Sequence, residues 1–227
     1  MAPSLPGISA CVFDAYGTLF DVASALDPCR AALGEAAPRL AALWREKQLA
    51  YTWLRAAQGR HADFLAVTGD ALDYVLEALA LDPSRFRAPL MEGAVRLTPF
   101  PEVPAVLRRL RAAGLLVAIL SNGTPAMLAA MVRHAGLDGL IDPVVSVEEA
   151  GVYKPHPSVY ARAVERTGVP AGAIAFLSSN GWDIHGASAA GLTTVWCNRS
   201  GQPDERLPGR ADFTIPTLDG LPPLLGL

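Results

Sequence analysis

The rhythm of the chain after residue 101 constrains the fold most, because short apolar runs alternate there with helical stretches. Glu102–Ala113 reads as a helix stopped by Gly114, and Leu115–Leu120 as a strand. The loop Ser121–Gly123 follows, and Thr124-Pro125 has the chemistry of an N-cap and a first helical residue. Ile174–Ser178 and Thr193–Cys197 are two more strand candidates, separated by a small-residue helix over Asp183–Ala190. Such alternation implies a parallel sheet with helices on its faces.

Near the N-terminus, residues 8–13 (ISACVF) form a short apolar run ending at Asp14 and read as a buried strand. From about Asp21 to Leu97 the texture is helical. Leu40, Leu43, Trp44, Tyr51 and Leu54 recur at three- and four-residue steps, and Leu65, Leu72, Val75, Leu76 and Leu79 suggest a second helix. The stretch LTPFP at 97–101 breaks the pattern and reads as a return linker. The expected architecture is α/β, a Rossmann-like parallel sheet core with an inserted α-helical cap subdomain. Residues 1–20 and 98–227 would form the core and 21–97 the cap.

Bulk properties narrow the function classes. With 227 residues, 51% hydrophobic, the chain has ample material for a core. A net charge of −3 without like-charge blocks makes nucleic acid and anionic membrane poor partners. The cysteines, Cys11, Cys29 and Cys197, form no zinc-type pairs and read as reduced thiols in a cytoplasmic protein. Met1–Gly7 carries no Lys or Arg and leads into no long apolar run, which argues against a secretory signal. No stretch is long and apolar enough for a membrane span.

Ligands of open α/β sheets bind outside the carboxyl ends of the strands. Asp14, Ser121 and Ser178 each end or follow an apolar run, and Lys154 follows the weaker run Pro143–Val147, so these polar groups are expected on one rim. An Asp after a strand is often only a turn residue. In DAYGTLFD, however, Gly17 permits a tight turn and Thr18 can fix the Asp14 carboxylate by a hydrogen bond. An ionised carboxylate can attack carbon directly. Ser121-Asn122-Gly123-Thr124 offers hydroxyl, amide and N–H groups at a helix start, which suits an anion. Lys154, between Tyr153 and Pro155, can neutralise charge beside Asp14. Ser178-Ser179-Asn180-Gly181-Trp182-Asp183 brings hydroxyl, amide, indole and carboxylate within six residues. Each of these has a bland reading when taken alone: a helix cap, a surface lysine, a satisfied turn.

Together, DAYGTLFD, ILSNG, VYKPHPSVY and SSNGWD, in this order, resemble the haloacid dehalogenase superfamily. More narrowly they resemble the L-2-haloacid dehalogenases, to whose helical segment LWREKQLAYTWLR (Leu43–Arg55) is also similar. Superfamily phosphatases carry a second Asp two residues after the nucleophile. Here that position is Tyr16, and Asp183 is the single carboxylate of the fourth motif. Magnesium prefers several hard anionic oxygens, so the resemblance implies no metal and no cofactor.

The resemblance implies that Asp14 attacks the halogen-bearing carbon of a small 2-haloacid and forms an ester. Arg45, Asn122 and Trp182 would cradle the halide, and Ser121 with N–H groups around Ala15 and Tyr16 would hold the substrate carboxylate. Lys154 and Tyr160 would support the charge network, with Thr18, Ser178 and Asn180 orienting Asp14 and water. Asp183 would position or activate the hydrolytic water. Tyr16, Leu49, Phe64 and Trp182 are the expected apolar pocket, with Arg45 and Leu49 one helical turn apart. Glu46 departs from the Gln frequent in that family and puts a charge beside Arg45; His185 is read as a bystander. A homodimer is also implied.

Overall fold

The computed structural model describes residues 4–227. Residues 1–3, which belong to the Met1–Gly7 segment and to the 1–20 assignment above, lie outside the described residues. The chain runs β1 (Ala10–Phe13), β2 (Phe20–Asp21), α1 (Arg30–Leu33), α2 (Ala36–Gln58), α3 (Phe64–Ala78), α4 (Pro83–Ala94), β3 (Thr98–Pro99) and α5 (Val103–Ala112). It continues β4 (Leu116–Ser121), α6 (Pro125–His134), β5 (Val144–Ser146), α7 (Pro157–Thr167), β6 (Ile174–Ser178), α8 (Gly181–Ala189), β7 (Thr193–Cys197), β8 (Phe213–Ile215) and α9 (Leu221–Leu224).

Six strands form one parallel sheet in the order β5-β4-β1-β6-β7-β8. Every residue of β1 and β6 is buried, as expected of central strands covered on both faces. β1 lies between β4 and β6, so the chain first builds outward on one side and then on the other. That reversal makes the carboxyl end of β1 the switch point where such sheets bind ligands. Asp14 is the first residue beyond it, with its backbone N–H donated to Leu177 O at 2.8 Å.

All helices between β2 and β3 fall in the stretch that sequence periodicity marked as helical. Their ends follow local chemistry. Asp63 caps α3 by accepting from Ala66 N at 2.8 Å, and Asp82 caps α4 by accepting from Ser84 N, with Pro83 as the first helical residue. The buried stripe of α2 differs from the apolar periodicity. After Leu40 and Trp44 it passes through Gln48 and Thr52, while Leu54 is exposed. Polar groups are tolerated there because each has a partner: Gln48 Nε2 donates to Thr68 Oγ1 of α3 at 2.8 Å, Trp44 Nε1 to Thr68 O at 2.9 Å, and the Thr52 hydroxyl to Leu49 O within α2 at 2.7 Å. In α3, Leu65 is likewise exposed, and Phe64 and Val67 face inward instead.

The 97–101 segment does more than return the chain. Thr98–Pro99 pairs antiparallel with Phe20–Asp21, so both connections to the helical block form one two-stranded ribbon. The expected helix at 183–190 begins two residues earlier, at Gly181, and α7 and β8 had no counterpart in the sequence reading. All three cysteines are buried and free. Burial pushes the Cys11 thiol up to about 12 and Cys197 up to about 11, which leaves both unreactive at neutral pH. No helix of the described residues is long and apolar enough to cross a membrane.

Candidate active site

The turn after β1 is shaped by its own backbone. Thr18, Leu19 and Phe20 all direct their N–H groups at Ala15 O, and Gly17, at φ 82°, donates to Phe20 O at 2.8 Å. A positive φ at that point suits glycine. The turn brings Thr18 back under Asp14, and the Thr18 hydroxyl donates to Asp14 Oδ2 at 3.3 Å. Asn180, at the start of α8, donates through Nδ2 to the same oxygen at 2.9 Å and to Tyr16 O at 3.3 Å. The loop after β6 is tied to this turn twice more: Ser179 N donates to Thr18 Oγ1 at 2.8 Å, and Ser179 Oγ to Gly17 O at 2.7 Å.

Lys154 comes from the loop after β5 and is buried between two carboxylates. Its ammonium lies 3.1 Å from Asp14 Oδ1 and 2.9 Å from Asp183 Oδ2. The remaining oxygen of Asp183 accepts the Tyr160 hydroxyl at 2.7 Å. Burial, with the Asp14 charge adding to it, holds the Asp183 carboxyl above the usual carboxylate range, against the opposing pull of Lys154. Burial and then the Asp183 charge push the Tyr160 phenol well above its ordinary value, so it stays a proton donor to Asp183. Asp183 is therefore a carboxylate with enhanced proton affinity, one lysine away from Asp14. Ser178 does not reach Asp14; its hydroxyl accepts Asn180 N at 3.1 Å and holds the turn that aims Asn180.

The turn after β4 forms the opposite wall. Ser121 Oγ accepts Gly123 N at 3.2 Å, Asn122 Oδ1 accepts Lys154 N at 3.2 Å, and Thr124 caps α6 by accepting Met127 N at 3.2 Å. A Cβ on Gly123 would stand 2.8 Å from the Tyr16 hydroxyl oxygen, so glycine permits this close approach. Ser146, absent from the sequence reading, anchors the turn by donating to Gly123 O at 2.7 Å. Its signal, a lone Ser at a strand end, has no distinctive pattern.

From the helical block, Arg45 reaches over the rim. Its Nη2 donates to Asn180 Oδ1 at 3.3 Å and its Nη1 to Gln48 Oε1 at 3.0 Å. Burial depresses the guanidinium, and the nearby Asp14 charge partly offsets that. A cavity of about 100 Å³ adjoins it, with Tyr16, Leu26, Trp44, Arg45, Gln48 and Met127 among its lining. Of the expected pocket residues only Tyr16 faces this cavity. Phe64 packs on Tyr16 with ring centroids 5.2 Å apart, and Trp182 stands edge-on to Trp53 at 5.4 Å. Leu49 is half-buried on α2 and, like Ser121 and Asn122, does not line the cavity. Gln48, absent from the expected site, is the i+3 partner of Arg45 on α2, and that spacing is its sequence signal. Glu46 is exposed and forms no ion pair among the described residues. His185 points away from Asp14, with Nε2 3.0 Å from Asp204 Oδ1. Among the described residues no three His, Cys, Asp or Glu side chains cluster as a metal site.

A buried aspartate at the switch point of a parallel sheet, bridged by lysine to a second acid, is the site of a recognised class of hydrolases. The model of haloacid dehalogenase-like hydrolases matches residues 8–191, and the chain belongs to that family. Within it, the chain is similar to (S)-2-haloacid dehalogenase of Pseudomonas sp. (strain YL), 43% identical over 93% of this chain and 91% of that protein. Haloacetate dehalogenase H-2 of Moraxella sp. (strain B) is 40% identical over 97% of this chain and 99% of that one. The structure of L-2-haloacid dehalogenase from Xanthobacter autotrophicus with chloropropionic acid covalently bound matches with a TM-score of 0.88. It is 40% identical and covers 96% of this chain and 98% of that chain.

Proposed function

We propose that the protein hydrolyses short L-2-haloalkanoic acids to D-2-hydroxy acids with inversion, through an ester on Asp14. The observation that carries this reading is the Asp14 carboxylate itself. It is buried, gripped by Thr18, Asn180 and Lys154, and set at the sheet's switch point in a chain similar throughout to (S)-2-haloacid dehalogenases.

In the first step an Asp14 oxygen forms a bond to C2 as the carbon–halogen bond breaks, and the electron pair leaves with the halide. Halide is a weak base and needs no proton, so Tyr16 in place of a second acid is no handicap. Fixing carboxylate and carbon in line can contribute roughly 7–11 kcal/mol. Arg45, with Asn122 and Trp182, stabilises the departing halide, while Ser121 and the N–H groups of Ala15 and Tyr16 hold the substrate carboxylate.

In the second step water attacks the Asp14 carbonyl carbon. Asp183, whose proton affinity burial has raised, takes a proton from that water and returns it to the alkoxide as the acyl–oxygen bond breaks, so the hydroxy acid leaves with the oxygen that Asp14 supplied. Lys154 balances the charge of both carboxylates, Tyr160 fixes Asp183, and Thr18, Ser178 and Asn180 keep Asp14 aimed. No metal or other cofactor enters either step.

In this reading residues 21–97 are a cap subdomain on a core of 1–20 and 98–227, and Leu49 and Phe64 wall the site from the cap side. The protein acts in the cytoplasm as a homodimer. Support for a dimer comes from the exposed Trp53, Leu54, Leu65 and Tyr74, all on α2 and α3; light scattering after gel filtration tests it.

Racemic 2-chloropropionate tests the chemistry. Chiral chromatography is expected to find the L-acid consumed, the D-acid left and D-lactate formed. Racemic or retained product contradicts direct displacement. Hydrolysis of p-nitrophenyl phosphate with magnesium, without halide release, would transfer the protein to the superfamily's phosphatases.

A further inference from the structure

In the reading above Arg45 stabilises the departing halide, and the two groups that hold it decide how. A guanidinium has N–H donors and no acceptor. Nη2 of Arg45 is engaged by Asn180 Oδ1 at 3.3 Å and Nη1 by Gln48 Oε1 at 3.0 Å. Both holders are neutral amides. A carboxylate in either place would pair with the cation and compete with a leaving anion for it.

Gln48 is buried with both ends of its amide in use, and the direction of each bond is fixed. The Thr68 hydroxyl has a single proton, which it donates to Phe64 O on its own helix at 2.6 Å, because a carbonyl cannot donate. Thr68 Oγ1 is left as an acceptor, so the atom of Gln48 that faces it at 2.8 Å is the NH2 group. The amide oxygen is thereby turned to Arg45, which has only N–H groups to offer. Phe64 O, the Thr68 hydroxyl and the Gln48 amide thus form a one-way relay that ends in an acceptor. Thr68 O also accepts the Trp44 indole N–H at 2.9 Å, which sets α2 against α3 at the same point.

We infer that Gln48, oriented by Thr68, is the positioning residue of Arg45: it fixes the guanidinium with a neutral acceptor and leaves the charge to the halide. The inference rests on the dehalogenase reading and adds to it the residues that aim the halide's cation. A misplacement of about 1 Å in such a group can cost about a hundredfold in rate.

The test is kcat/KM for L-2-chloropropionate and L-2-bromopropionate, which reports the steps up to ester formation. Chloride is the poorer leaving group and depends more on the cation. The bromo-to-chloro ratio therefore reads the stabilisation of the halide, and a mere loss of stability does not move it. Gln48→Met keeps the length of the side chain and removes the acceptor. It is expected to lower kcat/KM for the chloro acid about tenfold and to raise the ratio about threefold. Gln48→Glu, which keeps an acceptor but adds a negative charge, is also expected to raise the ratio. Thr68→Val should raise it less, and Thr68→Ser, which keeps the hydroxyl, should leave it at the wild-type value. In an Arg45→Ala background Gln48→Met should add nothing, because the two residues act as one unit. Thermal unfolding checks each variant, and either Gln48→Met or Thr68→Val, if folded, decides. A wild-type ratio in a folded variant, or a full Gln48→Met effect without Arg45, overturns the relay and leaves the dehalogenase reading intact. No halide from either acid with the wild type overturns both.

Discussion

The sheet rim and the helical block meet at the same site, but they hold their polar groups differently. On the rim both oxygens of Asp14 and both of Asp183 have partners, and all of those partners come from the sheet's own loops and helices. The helical block contributes one cation, Arg45, through a 3.3 Å bond to Asn180, and behind it lies unfilled apolar space. The difference teaches that Asp14 is held by the sheet's own loops and helices alone, whereas the helical block reaches the site through the single side chain of Arg45. Substitutions on the two sides should therefore separate.

The largest effect is expected on the rim. Lys154→Met leaves two carboxylates buried without their shared cation, and breaking such a buried pair costs about 3–5 kcal/mol of stability. Denaturant unfolding and halide release on one preparation should show both stability and turnover lost. A variant of normal stability would mean that the rim is not the preset unit described.

On the helical side, Arg45→Ala should lower turnover by a factor of about 10²–10³, the usual cost of losing one preorganised donor. Its melting temperature should stay near that of the wild type, because Arg45 holds nothing else on the rim together. Near-normal halide release by the folded variant would return Arg45 to an ordinary arginine. A melting temperature that falls as far as with Lys154→Met would erase the contrast between the two sides.

A smaller effect is expected outside both regions. Burial alone would lower the His185 pKa, but its hydrogen bonds to Asp204 and Leu207 O raise it overall. A raised folded pKa stabilises fully below the unfolded value and fades as pH rises through the folded one. Stability should thus decline modestly, by about 1 kcal/mol or less, above the ordinary histidine range. The decline should vanish in His185→Gln, while the pH dependence of turnover is unchanged. If His185→Gln altered the pH–rate profile, histidine would have to be returned to the chemistry.

Much of the rim was legible because each strand of a parallel sheet is a short apolar run, and the polar residue that ends it is visible at once. Asp14, Ser121 and Ser178 were located this way, and the structure brings Lys154, Tyr160, Asn180 and Asp183 to the same place. The helical side was less legible. Periodicity in α2 marks which residues are apolar, but its buried stripe includes Thr52, satisfied by Leu49 O on its own helix, and Gln48, whose partner Thr68 is twenty residues away. Leu54 and Leu65 fit the apolar periodicity and yet lie outward. The cavity has no sequence signature at all. Its walls come from the turns after β1 and β2 and from α2, α3, α4 and α6, and only packing brings them together.

The central claim is that Asp14 bonds to carbon, and the source of the product oxygen tests it most directly. A single turnover of L-2-chloropropionate is run in heavy-oxygen water with enzyme in excess and chelator present. If Asp14 attacks, the lactate of that turnover carries unlabelled hydroxyl oxygen, and the label appears on the peptide containing Asp14. If Asp183 or another base directs water at C2, the first lactate carries the heavy oxygen and Asp14 stays unlabelled, which would contradict the account.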